Sequence, residues 1–378
     1  MRFRYSAEEN GKLVKKAVVY TSDEHGINIE DVDREAIGII HRLKYAGYES
    51  YIVGGAVRDL ILKKKPKDFD IVSEAPPPRI KKVFRNARVI GRRFKLVHVH
   101  YGPRIFEVAT FRSLKDGLTS NTFGTISDDV LRRDFTMNAL FYDPIQQIVV
   151  DYVGGMEDIR AKRVRPIIPL ATIFIDDPVR MIRAVKYSAA TGFSLPLPLK
   201  WKIKKQSPLL ASISPSRLTE EIFKIIHSSQ AASIVEALDD MGLYAYLQPQ
   251  AAALMKNNSR FRSRYLRSMA ASNGETLGAL INDYLEDIAD WEQGIAENYR
   301  LCCAAARSFV RPMNPPRFEL GYAVRRFFAA HGVTIKKSHA AGLTPAAGTE
   351  GAAAEVVRRK RRRRKRRSKN AGTDQQSL

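Results

Sequence analysis

The sequence predicts an α+β fold: a small mixed-sheet head, an all-α neck and body behind it, and a disordered basic tail. Three observations carry this. From Tyr51 to Val153 short β-rich runs alternate with helix-periodic segments, and beyond Pro166 Leu, Ala and Ile recur at helical spacing as far as about Phe328. The third is Arg358 to Lys369, with 11 basic residues in 12, which cannot fold alone because like charges repel and nothing apolar is there to bury. At 378 residues the chain exceeds one ordinary core, so two or three packed units are expected.

The elements follow in order. Residues 1–30 read as an N-terminal extension and 31–165 as the head. Within the head, Asp31 to Lys44 is an amphipathic helix, Tyr51-Ile52-Val53 a strand, and Ala56 to Leu62 a second helix, which puts Gly54-Gly55 at a strand-to-helix corner. Asp68 to Val72 reads as a strand with Asp68 and Asp70 on one face and Phe69 in the core. Gly91 ends another strand, and Leu96, His98 and His100 share a face of the next. The segment from Phe111 to Ser127 is polar and rich in Gly, Ser and Thr, a candidate mobile loop.

Residues 166–229 form a helical neck. Asp176 to Ala190 is one helix closed by Thr191-Gly192, and Ser214 to Glu221 carries a capping-type start for a second running to Ile226. Residues 230–335 make an all-α body, expected to bind RNA, and 336–378 a linker and the basic tail, since His339 to Glu355 is rich in Ala and Gly.

The chemistry concentrates in the head. Glycines at a strand-to-helix corner let a phosphate approach free backbone N–H groups, and Arg58, one turn on, offers a planar donor fork. Asp68 and Asp70 on one face repel each other unless a cation lies between them, and oxygen-only ligands suit Mg²⁺. Glu107, within Arg104 to Thr110, adds a third carboxylate. Bland readings compete: a Gly-Gly turn is most often only a turn, an Asp-x-Asp a strand end, and Glu107 the partner of an arginine. Asp177-Pro178 could be a helix cap with Arg180 and Arg183 on the solvent face, and Arg132-Arg133-Asp134 a charge cluster at a helix start. His98-x-His100, without cysteine and beside one carboxylate block, reads as a half-exposed strand pair rather than a metal site.

Five blocks in order resemble the bacterial RNA nucleotidyltransferases, the family shared by CCA-adding enzymes and bacterial poly(A) polymerases. They are Gly54-Gly55-x-x-Arg58-Asp59, Lys67-Asp68-Phe69-Asp70, Leu131 to Leu140, Asp151 to Gly155, and Asp176 to Ala184, within a resemblance from about Ile37 to Ile226. The resemblance implies a polymerase-beta-like nucleotidyltransferase head. It implies Asp68 and Asp70 as ligands of the catalytic metals, where Glu107, read from its own strand, is expected to join them in holding two Mg²⁺ ions; it also implies Gly54, Gly55 and Arg58 as the triphosphate site, and Arg132, Arg133, Asp134 and Asn138 as the ribose and phosphate site. Asp177 and Arg180 become the readers of the incoming base, and Asp134 joins Asp68, Asp70 and Glu107 in the catalytic set. Val89 to Val99 is similar to the stretch that marks the poly(A) polymerase branch. Two positions depart from the pattern: Lys63 stands where a glycine commonly follows the helix, and Asp176 where a glutamate is usual.

The expected reaction is template-independent addition of AMP from ATP to RNA 3′ ends with release of pyrophosphate, in mRNA polyadenylation and RNA turnover. A CCA-adding enzyme is the alternative, and a non-catalytic RNA-binding protein the more distant one. Composition agrees with an RNA partner: 63 Lys and Arg face 40 Asp and Glu, a formal charge of +23, which attracts a polyanion. The tail residues Arg358, Arg359, Lys360, Arg361, Arg362, Arg363, Arg364, Lys365, Arg366 and Arg367 are the expected RNA-holding arm. Cys302 and Cys303 are adjacent, a spacing unsuited to zinc, so inert thiols in a reducing compartment are expected. With no apolar run of membrane length, the cytoplasm is the expected location and no membrane partner is foreseen.

Overall fold

The computed structural model describes residues 2–7, 13–91, 96–113, 123–271, 276–292 and 294–335. The expected tail residues Arg358 to Arg367, Arg92 to Lys95 of the poly(A)-branch stretch, and residues 114–122 of the polar loop lie outside them.

Among the described residues nine strands make one mixed sheet: β1 (Arg2–Ala7), β2 (Leu13–Tyr20), β3 (Ser50–Val53), β4 (Asp70–Ser73), β5 (Ala87–Ile90), β6 (Leu96–Tyr101), β7 (Arg104–Thr110), β8 (Leu140–Asp143) and β9 (Ile148–Asp151). Their order across the sheet is β1-β2-β9-β8-β3-β4-β7-β6-β5, with β4 and β7 parallel and every other pair antiparallel. The two N-terminal strands therefore belong to the sheet, although residues 1–30 were expected as an extension. Val18, Val19 and Tyr20 pair with Asp151, Val150 and Val149 of β9.

Both β3 and β8 are buried at every residue, as expected for strands covered on both faces. Tyr51, Val53, Val72, Phe111, Val130, Phe141 and Val150 form the core under the site. The first long helix runs Arg34–Tyr45, with Asp33 accepting the N–H groups of Glu35 and Ala36 at its start. The second, Gly55–Ile61, packs on β3 and β8. At its end Lys63, which replaces an expected glycine, adopts a left-handed φ of 58° and donates to the carbonyl of Gly26.

Asp151-Tyr152-Val153-Gly154-Gly155 is structural. The buried Asp151 carboxylate accepts four successive N–H groups, from Val153 to Met156, closing the turn into helix Gly155–Arg160. A Cβ on Gly155 would lie 2.3 Å from the Thr136 carbonyl oxygen, so only glycine fits there.

The expected helix Asp176–Ala190 begins three residues later, as Val179–Thr191. A short turn, Ile173–Asp176, precedes it, and Asp177 between the two is extended at φ −152°, ψ 96°. Pro178 explains the break, because it disfavours the helical conformation in the residue before it and supplies no N–H. Gly192 closes the helix at φ 76° as expected. The helix expected after Ser214 is Pro215–Ile226, but Ser214 makes no side-chain cap.

Contacts divide the chain into two compact units. One is Met1–Leu280 with Val310–Asn314, and the other is Ile281–Phe309 with Pro315 onward. The expected boundaries at 30, 165 and 229 all fall inside the first. In the second unit, helices Ile295–Phe309 and Arg317–Ala330 pack together. Its Cys302 and Cys303 are free and buried, and burial raises both thiols, Cys302 to about 11, so they are inert at neutral pH. No helix among the described residues is long and apolar enough to cross a membrane.

Candidate active site

Two recesses in the first unit meet at Asp70. The acidic one, about 490 Å³, is lined by Lys67, Asp68, Phe69, Asp70, His98, Arg104, Phe106 and Glu107 among others. The cationic one, about 300 Å³, is lined by Gly54, Gly55, Asp70, Arg132, Arg133, Asp134, Asn138, Asp177, Arg180, Arg183 and Tyr187. All the expected head and neck residues except Arg58 thus line one recess or the other.

The strand expected over Asp68 to Val72 starts only at Asp70, where the β3–β4 ladder begins with Val53 opposite Asp70. β3 ends at Val53 because Gly54 turns the chain, so Asp68 and Phe69 have no ladder partner. Phe69 is half-buried rather than in the core. Asp68 and Asp70 nevertheless open into the same recess.

Asp70 reaches solvent at the recess mouth, yet the surrounding protein displaces enough water to raise its carboxyl above the usual range. Glu107 and Asp68 push it further the same way, and Arg133 opposes them. Glu107 lies on the open face of β7 between Ile105 and Ala109, while Phe106, Val108 and Thr110 make the buried face. Among the described residues its partner is His98, opposite it on β6, with Nε2 3.4 Å from Oε1, rather than an arginine.

An all-oxygen set of three acids, with Asp70 destabilised as an anion by the other two, fits a hard divalent cation. Among the described residues, no three His, Cys, Asp or Glu side chains already stand at coordinating positions. Asp68, Asp70 and Glu107 are the residues that would hold Mg²⁺.

In the cationic recess most of the guanidinium groups are already held. Asp129, 8% exposed, accepts Arg133 Nε at 3.2 Å and Nη2 at 2.9 Å. Arg58 donates to Asp59 Oδ1 at 2.9 and 2.7 Å and to Asn138 Oδ1 at 2.8 Å, and so acts from behind Asn138. Asp134 accepts the Phe135 N–H at 2.8 Å and pairs with Arg183 at 3.0 Å. Desolvation works against the Arg183 charge, but Tyr187 and Asp134 outweigh it and raise its pKa. Arg132 donates to the Ser113 carbonyl at 2.5 Å, and desolvation with the nearby Arg112 lowers its pKa.

Asp177 and Arg180 both face this recess, but they do not form an isolated pair. Asp177 Oδ1 caps Val179 N–H at 3.2 Å, and Arg217 Nη2 lies 3.0 and 2.9 Å from its two oxygens. Arg180 is 8% exposed and donates to the Ile173 carbonyl at 3.3 Å, and its burial lowers its pKa. The cap reading of Asp177 is therefore real, while the solvent-face reading of Arg180 is not.

Sequence reasoning missed Asp129, Tyr187 and Arg217, read His98 only as half of a strand pair, and considered Arg183 only in the alternative that set it on the solvent face. Arg180, Arg183 and Tyr187 recur at three and seven residues on one helix, a face that spacing reveals once Arg180 is singled out. Asp129 likewise sits four residues before Arg133.

Residues 50–165 match the family model described as the poly A polymerase head domain, and residues 192–255 one described as "Probable RNA and SrmB- binding site of polymerase A". The chain is 40% identical over 243 residues to poly(A) polymerase I of Salmonella typhi, covering 60% of this chain and 52% of that protein. It is 39% identical over 260 residues to poly(A) polymerase I of Escherichia coli O6:H1, covering 65% and 56%, and 36% identical over 240 residues to the CCA-adding enzyme of Geobacillus kaustophilus, covering 61% and 59%. The chain thus spans a little over half the length of these relatives. Among solved structures, the Bacillus stearothermophilus CCA-adding enzyme in complex with CTP superposes with a TM-score of 0.54 at 28% identity, covering 86% of this chain and 91% of that one. The Thermotoga maritima CCA-adding enzyme complexed with tRNA, at 19% identity and a TM-score of 0.55, covers 83% and 74% and shares the fold.

Proposed function

The chain belongs to the bacterial poly(A) polymerase family, and on that premise we propose that it is a template-independent polynucleotide adenylyltransferase, adding AMP from ATP to RNA 3′ ends with release of pyrophosphate. The observation that carries this reading is the junction at Asp70 of an acid-lined recess and a cation-lined one, since phosphoryl transfer needs both beside the same phosphate.

In this reading Gly54 and Gly55 let the triphosphate reach the backbone, and Arg133 and Arg132 offset its charge. Arg58 orients Asn138 toward the ribose. Asp134 holds Arg183 against the nucleotide side of the recess. Asp177 accepts the exocyclic amino group of adenine and Arg180 donates to a ring nitrogen, so the protein itself reads the base. Asp68, Asp70 and Glu107 would hold the metal ions on the side of Asp70 that receives the α-phosphate and the RNA 3′ hydroxyl. Bound Mg²⁺ supplies neutralisation of phosphate charge and polarisation of the attacking hydroxyl. mRNA polyadenylation and RNA turnover are the processes we assign to this activity, with the Arg358 to Arg367 tail as an RNA-holding arm.

The second reading is CCA addition, favoured by the 91% coverage of the CTP-bound relative's chain. Cytosine also presents an amino group beside a ring nitrogen, so Asp177 and Arg180 serve either base. The test incubates the full chain with Mg²⁺ and either a generic RNA or a tRNA lacking its end, adding ATP and CTP separately. Long A tails on generic RNA from ATP alone are expected. Ordered C, C, A addition that stops would overturn the proposal in favour of the second reading.

A further inference from the structure

Helix Leu197–Gln206 carries a face that the proposed chemistry does not use. Leu199 and Ile203, one turn apart, bury its inner side. The opposite side presents Leu197, Lys200, Trp201, Lys204 and Lys205, spaced at zero, three, four, seven and eight residues, and all are exposed. Trp201 is 62% exposed and Leu197 78%. The helix holds four lysines and no acid. Lys205 Nζ stands 4.9 Å from the centroid of the Trp201 ring, and no carboxylate among the described residues pairs with Lys200, Lys204 or Lys205.

An indole kept in water loses the burial free energy that usually places tryptophan inside, so its position calls for a flat partner. Unneutralised ammonium groups on the same face call for an anionic one. Single-stranded RNA answers both needs, because every base has a π-face and every linkage a charge. A protein groove would answer the apolar need alone, and it would have to be acidic to answer the other.

We propose that this face is a platform for single-stranded RNA, with one base stacked on Trp201 and Lys200, Lys204 and Lys205 holding the flanking phosphates. The proposal rests on the reading that RNA is the substrate, and goes beyond it by assigning the surface and the binding mode. The helix lies within the 192–255 match, whose description spans 64 residues and names both RNA and a protein.

The chain has two tryptophans, so Trp291→Phe leaves Trp201 as the sole indole reporter. In that background a single-stranded oligoadenylate should quench the fluorescence saturably. Trp201→Ala should weaken oligoadenylate binding by roughly tenfold and Trp201→Phe should recover most of it, as stacking predicts. Replacing Lys200, Lys204 and Lys205 together by Gln should lower the slope of log affinity against log salt by about 2. Unchanged binding by Trp201→Ala, absent quenching while anisotropy reports bound RNA, or quenching by anionic vesicles or a protein fraction but not by RNA would overturn the platform. Asp70→Asn separates the two claims: it should keep the quench while losing AMP incorporation. Incorporation retained by that variant, with the quench intact, would sink the reaction assignment and leave the platform standing.

Discussion

On one side of Asp70 lie Asp68, Glu107 and His98, and on the other lie Arg132, Arg133, Arg180 and Arg183. The cationic side is largely fixed by its own anions and carbonyls: Asp129 holds Arg133, Asp134 pairs with Arg183, and the Ile173 carbonyl accepts Arg180. The acids of the other side are held loosely: among the described residues Asp68, Asp70 and Glu107 make one ion pair, the 3.4 Å contact of Glu107 with His98, and burial together with Glu107 and Asp68 pushes Asp70 upward. The contrast teaches what each half lacks. A triphosphate can enter the cationic half with little rearrangement of protein groups, whereas the acidic half keeps repulsion that a divalent cation would relieve.

The sharpest way to break that contrast is Asp70→Asn. AMP incorporation should fall by roughly a thousandfold or more, the scale expected when several kcal/mol of transition-state charge stabilisation is removed. The stability effect has the opposite sign. Because the folded-state pKa of Asp70 is raised, its contribution is fully present below the ordinary carboxylate pKa of about 3.9 and is lost as pH rises through the folded value. Asn removes that loss. Without metal, the melting temperature of the variant should overtake that of the parent as pH rises from about 4 to neutrality. Mg²⁺ at ten times its Kd should stabilise the parent by about 1.4 kcal/mol and the variant far less. Equal Mg²⁺ shifts in thermal unfolding would place the metal elsewhere.

Asp129→Asn probes the other half. It keeps the shape of Asp129 but removes the anion that aligns the Arg133 fork, while the recess stays cationic. A charge-assisted pair of this kind contributes about 1.5–3 kcal/mol, so kcat/KM for ATP should fall roughly 10- to 100-fold, mainly through KM. The stabilisation by Mg²⁺ should persist. A lost Mg²⁺ response with normal ATP kinetics would mean that the two halves are not separately organised.

The sequence disclosed the parts of the site that are local. Gly54-Gly55, the Arg132-Arg133-Asp134 run and the alternation through β7 are read from neighbours in the chain. What it hid depends on distant partners. Where β4 begins is set by the end of β3, so the strand placement of Asp68 was not available from Asp68-Phe69-Asp70 itself. His98 meets Glu107 through the β6–β7 register, and Arg217 meets Asp177 across 40 residues. The run from Ala17 to Tyr20 is β-rich, but its partner β9 lies about 130 residues on, so pattern alone did not join it to the sheet. Lys63 shows that a rule can hold in backbone while failing in residue type, since its φ of 58° is the conformation that the expected glycine would take at least cost.

Gly54 lies on the seam between the two halves and gives the smallest of these effects. A Cβ built there would stand 3.8 Å from Asp70 Oδ2 and 3.9 Å from Arg133 Nη1, ordinary contacts with one group from each recess. Space therefore does not demand glycine, but the backbone does: at φ 75° and ψ −137°, Gly54 occupies a region that side chains with a Cβ avoid. Gly54→Ala should cost about 1–3 kcal/mol in urea unfolding. If the variant relaxes by moving the corner, Asp70 and Arg133 shift together, and the ATP and Mg²⁺ responses should weaken in the same proportion. A variant that loses ATP affinity with its Mg²⁺ response intact would show that the corner serves the cationic half alone, and that Asp70 belongs to the acidic half more than to the seam.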